Sequence, residues 1–203
     1  MKKILALLIL GGLWFHFYHI GKADSYGPGV FAASAPYQYE TSMDQFRMDD
    51  FIFHPLADFE VEARVLDASI SYLDRKGWLA PMQLVIGWGK MSDESVYQNV
   101  DISIFNHQYK WDIDSPDVIS DDQVMTSTAS VHLIPASKDV RKKMLDIKIG
   151  DIVSLRGTLV NIKRTTGWEW KTSIKRNDKG EHAGEILYVK DVNIIVPGSR
   201  VIY

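Results

Sequence analysis

The chain has 203 residues, of which 46% are hydrophobic and 24% charged, an ordinary globular composition for one domain with extensions. Its formal charge of -3 gives no broad attraction to nucleic acid or anionic lipid. It has no cysteine, which excludes disulfides, thiolate chemistry, iron–sulfur clusters, Cys-based zinc sites and N-terminal lipidation of a cysteine.

The chain opens "MKKILALLILGGLWFHFYHIGKADSYGPG", two lysines before an apolar run that continues to Ile20. That order is an export signal. Residues 4–20 are about the shortest stretch that spans a bilayer, and Trp14, Phe15, Phe17 and Tyr18 would form an interfacial belt. We expect a single-pass inner-membrane anchor over residues 1–23, with the body in the periplasm. Cleavage after Ala23, behind the small residue Gly21, is the alternative. Residues 24–50 are rich in Gly, Pro, Ser and Ala without sustained periodicity, and they read as an extended tether.

Residues 51–203 read as a β-rich globular domain. Phe59, Val61, Ala63 and Val65 alternate with Glu60, Glu62 and Arg64, which predicts a half-buried strand over Asp58–Leu66. Strands follow over Leu84–Trp88, Ile102–Trp111 and Ser130–Ile134, then over Ile152–Lys163, Glu169–Ile174 and Ile186–Ile195. Helices are predicted over Asp93–Asn99, capped by Ser92, and over Lys138–Asp146, capped by Ser137. About seven strands and two short helices make a mainly β (β-rich α+β) fold, a small OB-like barrel or sandwich. The run "IKIGDIVSLRGTLVNI", a hairpin and "EILYVKDVNII" resemble the closing half of an OB-type barrel, with Gly157 relieving crowding where a strand bends.

The segment "LVIGWGKMSDESV" has the look of a phosphate loop. Asp93 and Glu94 in the first helical turn would repel an anion there, and no Gly-Lys-Ser/Thr follows, so the motif reads as a strand turning into a capped helix. His107 and His132 fall in predicted strands, but no His-x-His or His-x-x-x-His spacing supports a metal site. Trp168 and Trp170 share one face of a strand beside Lys171, Lys175 and Arg176. Rings interleaved with cations can stack on sugars or bases, whereas interior rings would be core. We expect at least one of this pair to be core, and Trp88, Trp111 and Arg176 to line an open binding groove. No nucleophile elbow appears. No cofactor is implied.

The phrases "GPGVFAASAPYQ", "PLADFEVEARVL", "GWGKMSD", "HLIPA" and "GWEWKTSIKRND", in that order, resemble a family of uncharacterised bacterial envelope proteins. The resemblance implies an exported or membrane-anchored protein and carries no activity. Two functional classes stay open. One is a membrane-tethered, non-enzymatic binding or scaffolding domain for a protein or envelope polymer, without nucleic acid. The other is an envelope hydrolase-type enzyme with a site around His107 and His132, with Arg64 and Arg176 contributing.

Overall fold

One strand organises the domain. In the computed structural model, which describes residues 20–71, 75–175 and 184–197, strand β3 runs without interruption from Phe51 to Ile70. It is preceded by two short strands, β1 (Tyr37–Tyr39) and β2 (Phe46–Met48), both antiparallel to it. Beyond it come helix α1 (Arg75–Leu79), strand β4 (Met82–Gly87), a 3₁₀ turn (Gly89–Ser92) and helix α2 (Glu94–Tyr97). A hairpin of β5 (Val100–Phe105) and β6 (Gln108–Ile113) leads to helix α3 (Asp121–Ser127), strand β7 (Thr128–Pro135) and helix α4 (Lys138–Leu145). Strands β8 (Ile152–Arg164), β9 (Glu169–Trp170) and β10 (Glu185–Ile195) complete the described chain.

The pairings close a ring. β3 lies antiparallel to β4 and to β8; β4 is antiparallel to β7, β7 parallel to β10, and β10 antiparallel to β8. Five strands in that order, with one parallel contact, form the Greek-key barrel of the OB type. Its interior is filled by Phe59, Val61, Val65, Leu84, Ile86, Leu133, Leu155 and Leu187, and α4 adds Val140 and Met144 to the same core. Closure also removes the free edges that an open sheet would expose.

Two bulges on β3 decide what lies outside the ring. The register slips between Pro55 and Ala57, so Phe51 and Phe53 face away from the side taken by Phe59 and Val61. They build a second core with Val160, Ile162, Ile186 and Trp170. A second slip, between Val65 and Asp67, leaves Val65 in the interior core and turns Arg64, Leu66 and Asp67 outward. A third cluster forms where the β5–β6 hairpin lays Ile102, Ile104, Tyr109 and Trp111 over Val85 and Leu66.

Several expectations need correction. The predicted strand Ile102–Trp111 is a hairpin, because Asn106 and His107 both adopt positive φ (49° and 61°) and turn the chain in two residues. The cap of α2 is Asp93, whose carboxylate accepts from the Ser95 N–H. Ser92 is instead buried and donates to Gly89 O at 2.8 Å. The predicted strand Glu169–Ile174 ends at Trp170. Helix α3, set by a Ser120/Gln123 capping box, falls between the predicted strands Ile102–Trp111 and Ser130–Ile134, where no element is expected. Ser137 does cap α4, accepting from the Val140 N–H.

Residues 22–39 are not a free tether. Ala23 N–H donates to Ile149 O, Gly29 N–H to Asp93 Oδ1, and Ala32 N–H to Ser92 Oγ, with Ala32 buried. The segment lacks periodicity because hydrogen bonds to the barrel, rather than one apolar face, hold it as a strap. Among the described residues no helix is long and apolar enough to cross a membrane; the predicted span over residues 4–20 lies outside them apart from Ile20.

Two substitutions test this architecture. A Cβ on Gly157 would stand 2.3 Å from Tyr188 O on the neighbouring strand. Gly157→Ala is therefore expected to lower stability by about 1–3 kcal/mol in urea unfolding; an unshifted midpoint would mean that β8 and β10 do not approach this closely. Ser92→Ala removes the acceptor for Ala32 N–H in a buried setting and is expected to cost about 1–3 kcal/mol. It should also raise protease cleavage within residues 22–36, and an unchanged digestion pattern would argue that the strap is held elsewhere.

Candidate functional site

In an OB barrel the outer face of the second and third strands, with the loops joining the first to the second and the fourth to the fifth, is the usual ligand surface. Here those strands are β4 and β7, and their outer face is occupied. Gln83 on β4 donates through Nε2 to Ser130 Oγ at 2.8 Å and to His107 O at 3.2 Å, fixing the hairpin tip. Tyr109 stands 3.4 Å from Thr128 Oγ1. Burial pushes its phenol up, and the charge of Glu185 at the start of β10 adds to this. The chain has covered the strand face with its own hairpin.

Among the described residues, aromatic surface is exposed at the loop end. Helix α1, in the β3–β4 loop, presents Trp78 with 56% of its surface exposed. Its ring stacks on Phe51 at 6.0 Å, and Phe51 meets the edge of Trp168 at 5.8 Å. Trp168 is followed by Trp170 at 6.3 Å, Trp170 by His132 at 4.9 Å, and His132 by His107 at 5.9 Å. Six rings from five separate segments of the chain thus form one continuous row. The first bulge of β3 is what makes this possible, since without it Phe51 would turn to the other face.

The row is graded in exposure. Trp170 is 8% exposed and belongs to the second core, and Trp168 is half-buried against it. So the expected core member of the tryptophan pair is Trp170. Cations flank the rings: Lys76 Nζ lies 5.3 Å from the Trp170 centroid, and the Arg164 guanidinium 5.5 Å from that of Phe51. Arg164 is paired with Asp50. Lys163, by hydrogen bond and charge, and Lys171 hold the Glu169 carboxyl below its usual range. The site is therefore aromatic, with four cations (Lys76, Lys163, Arg164 and Lys171) beside two carboxylates (Asp50 and Glu169).

The residues expected to line a groove separate. Trp88 is 4% exposed and buried in the barrel core, so it cannot form a groove wall. Trp111 packs beside Tyr109 on the underside of the hairpin, its Nε1–H donating to Asp121 Oδ1 at 2.8 Å. Arg176 lies outside the described residues. Trp78 was missed because its helix is five residues long and carries no apolar period.

His107 and His132 do come together, as the enzyme alternative requires. His132, however, is 4% exposed, between the hairpin tip and the edge of Trp170. A reactant could touch its ring only by displacing one of these. Among the described residues no group of three or more His, Asp or Glu side chains stands close enough to hold a metal. Arg64 lies on the other bulge of β3, apart from this pair.

Trp170→Ala is expected to cost about 3–5 kcal/mol, as a cavity in the second core, measured by denaturant titration. A cost below about 1 kcal/mol would place Trp170 on the surface rather than beneath the row. No protein-family model matches this chain, and no match was found among curated proteins or solved structures.

Proposed function

We propose that this protein is a non-enzymatic binding module of the bacterial envelope, tethered through residues 4–20, that holds a glycan strand of an envelope polymer against its ring row. The observation that carries the reading is the exposed indole of Trp78, stacked through Phe51 to Trp168 at the loop end of an OB-type barrel. A ring left in water and continuous with further rings makes a contiguous apolar patch, and such patches mark contact surfaces. Flat rings in a row suit the apolar faces of successive sugars, which offer area without charge.

Charge favours a glycan over nucleic acid. A phosphate backbone is bound by releasing counterions to cations that are free to pair with it. Here three of the four cations beside the row are already engaged, Lys163 and Lys171 with Glu169 and Arg164 with Asp50, while Lys76 faces the Trp170 ring. The overall charge of -3 works in the same direction. The export signal, likewise, puts the domain where glycan polymers are and nucleic acid is scarce.

Binding of purified domain to isolated cell-wall sacculi, followed by competition with soluble glycan fragments, tests the reading. Trp78→Ala should weaken retention by roughly tenfold, about 1.4 kcal/mol, with its melting temperature within a few degrees of the parent. Retention unchanged in both Trp78→Ala and Trp168→Ala, with both variants folded, would refute the ring row as the glycan surface.

A further inference from the structure

At the second bulge of β3 a cleft of about 460 Å³ opens between the strap, α2 and β5. That volume lies in the range of small-molecule sites, about 300–1,000 Å³. Arg64 lines it, although only 1% of the residue is exposed. Its Nε donates to Ser92 O at 2.7 Å and its Nη1 to Gly150 O at 3.0 Å. Three rings enclose the guanidinium, with Tyr97, Phe31 and Tyr26 centroids 5.2, 5.4 and 5.7 Å from Cζ. Nη2, buried with them and reached only where one ring moves aside, has no acceptor in hydrogen-bond geometry, although the Tyr97 hydroxyl stands close enough to the guanidinium to be influenced by it.

A buried guanidinium with an unmatched N–H is expensive, because its hydration has been lost and not replaced. The usual remedy is a carboxylate held by the fork of the guanidinium. Carboxylates are nearby, but they stand on the lining of the cleft rather than on Nη2. Asp24 and Asp101 are exposed there, Glu94 accepts from Ser25 Oγ at 2.8 Å, and Asp67 accepts from Ile104 N–H at 2.9 Å. Burial raises the Asp67 carboxyl, and the charge of Asp101 adds to this. Against these four acids the lining offers two cations, Lys22 and Arg64.

Neither a simple anion nor a simple cation suits this pattern. An anion at Nη2 would face the acids, and a cation among the acids would leave Nη2 as it is. A molecule with both charges answers both needs. We propose that the cleft binds the zwitterionic ends of a short peptide, its terminal carboxylate on Arg64 and its ammonium beside Asp67 and Asp101. The site is separate from the ring row and does not depend on it. Its occupant would also touch Lys22, Ala23 and Asp24, so it would rest against the strap that leads back to residues 4–20.

Three matched probes test the proposal by calorimetric titration of the whole chain: trialanine, N-acetyl-trialanine and trialanine amide. Trialanine should bind, and blocking either end should weaken binding by about tenfold or more. Arg64→Lys and Asp67→Asn should each bring a similar loss while glycan retention at the ring row stays unchanged. Where Arg64→Lys fails to fold, Asp67→Asn and the two blocked peptides still decide. Equal affinity for the N-acetylated peptide would remove the role of the acids, and equal affinity for the amide would remove that of Arg64. Absence of trialanine binding at millimolar concentration, leaving an internal water on Nη2 as its partner, would overturn the proposal outright.

Discussion

The pairing of β3 with β8, from Phe51 opposite Arg164 to Arg64 opposite Ile152, is the constraint from which the rest follows. It converts a meander of strands into a closed barrel, and it requires one strand of 20 residues to follow a curved path. A strand that long cannot keep one face toward a small interior along its whole length. Two bulges absorb the curvature, and each exchanges which residues face inward. The first brings Phe51 and Phe53 to the outside, where they found the second core and the base of the ring row. The second brings Arg64 and Asp67 to the outside together, where they form the floor of the cleft. Both candidate surfaces are consequences of how a single strand bends.

The β5–β6 hairpin explains why ligand contact is expected at the loop end and not on the strand face. Apolar residues on its underside cover Val85, and Gln83 ties its tip to β7. This protects an otherwise wet sheet face and buries the polar set of Ser130, Thr128 and His132. A buried, hydrogen-bonded polar layer fixes the hairpin in one position more strictly than an apolar contact would. The same layer withdraws His132 from solvent. That geometry favours a packing role for the histidine over a chemical one.

Much of the barrel is visible in the residue pattern, because alternation marks any strand with one buried face. The strand around Phe59–Val65 is of that kind, and the cap at Ser137 is legible as a serine ahead of an amphipathic run. Gly157 was legible as a point of close approach, and a neighbouring carbonyl explains it. The bulges were not legible: odd positions stay apolar from Phe51 through Val65, so the pattern continues across a reversal of faces. The hairpin turn was hidden because Asn106-His107 lacks the glycine that marks most two-residue turns. The strap leaves no periodic trace, since hydrogen bonds from its backbone N–H groups and single side-chain contacts, rather than one apolar face, hold it. Trp88 looked like a presented ring and is core, because a tryptophan beside two glycines serves either purpose in the sequence.

The exposed end of the ring row is the proposed contact for the ligand, and indole N–H resonances report on it residue by residue. In a titration of the labelled protein with soluble cell-wall glycan fragments, the Trp78 and Trp168 signals should shift in a saturable way. Those of Trp88, buried in the barrel, and Trp111, held by Asp121, should stay in place. Saturable shifts confined to Trp111, or no shift at any indole while the glycan demonstrably binds, would contradict the account.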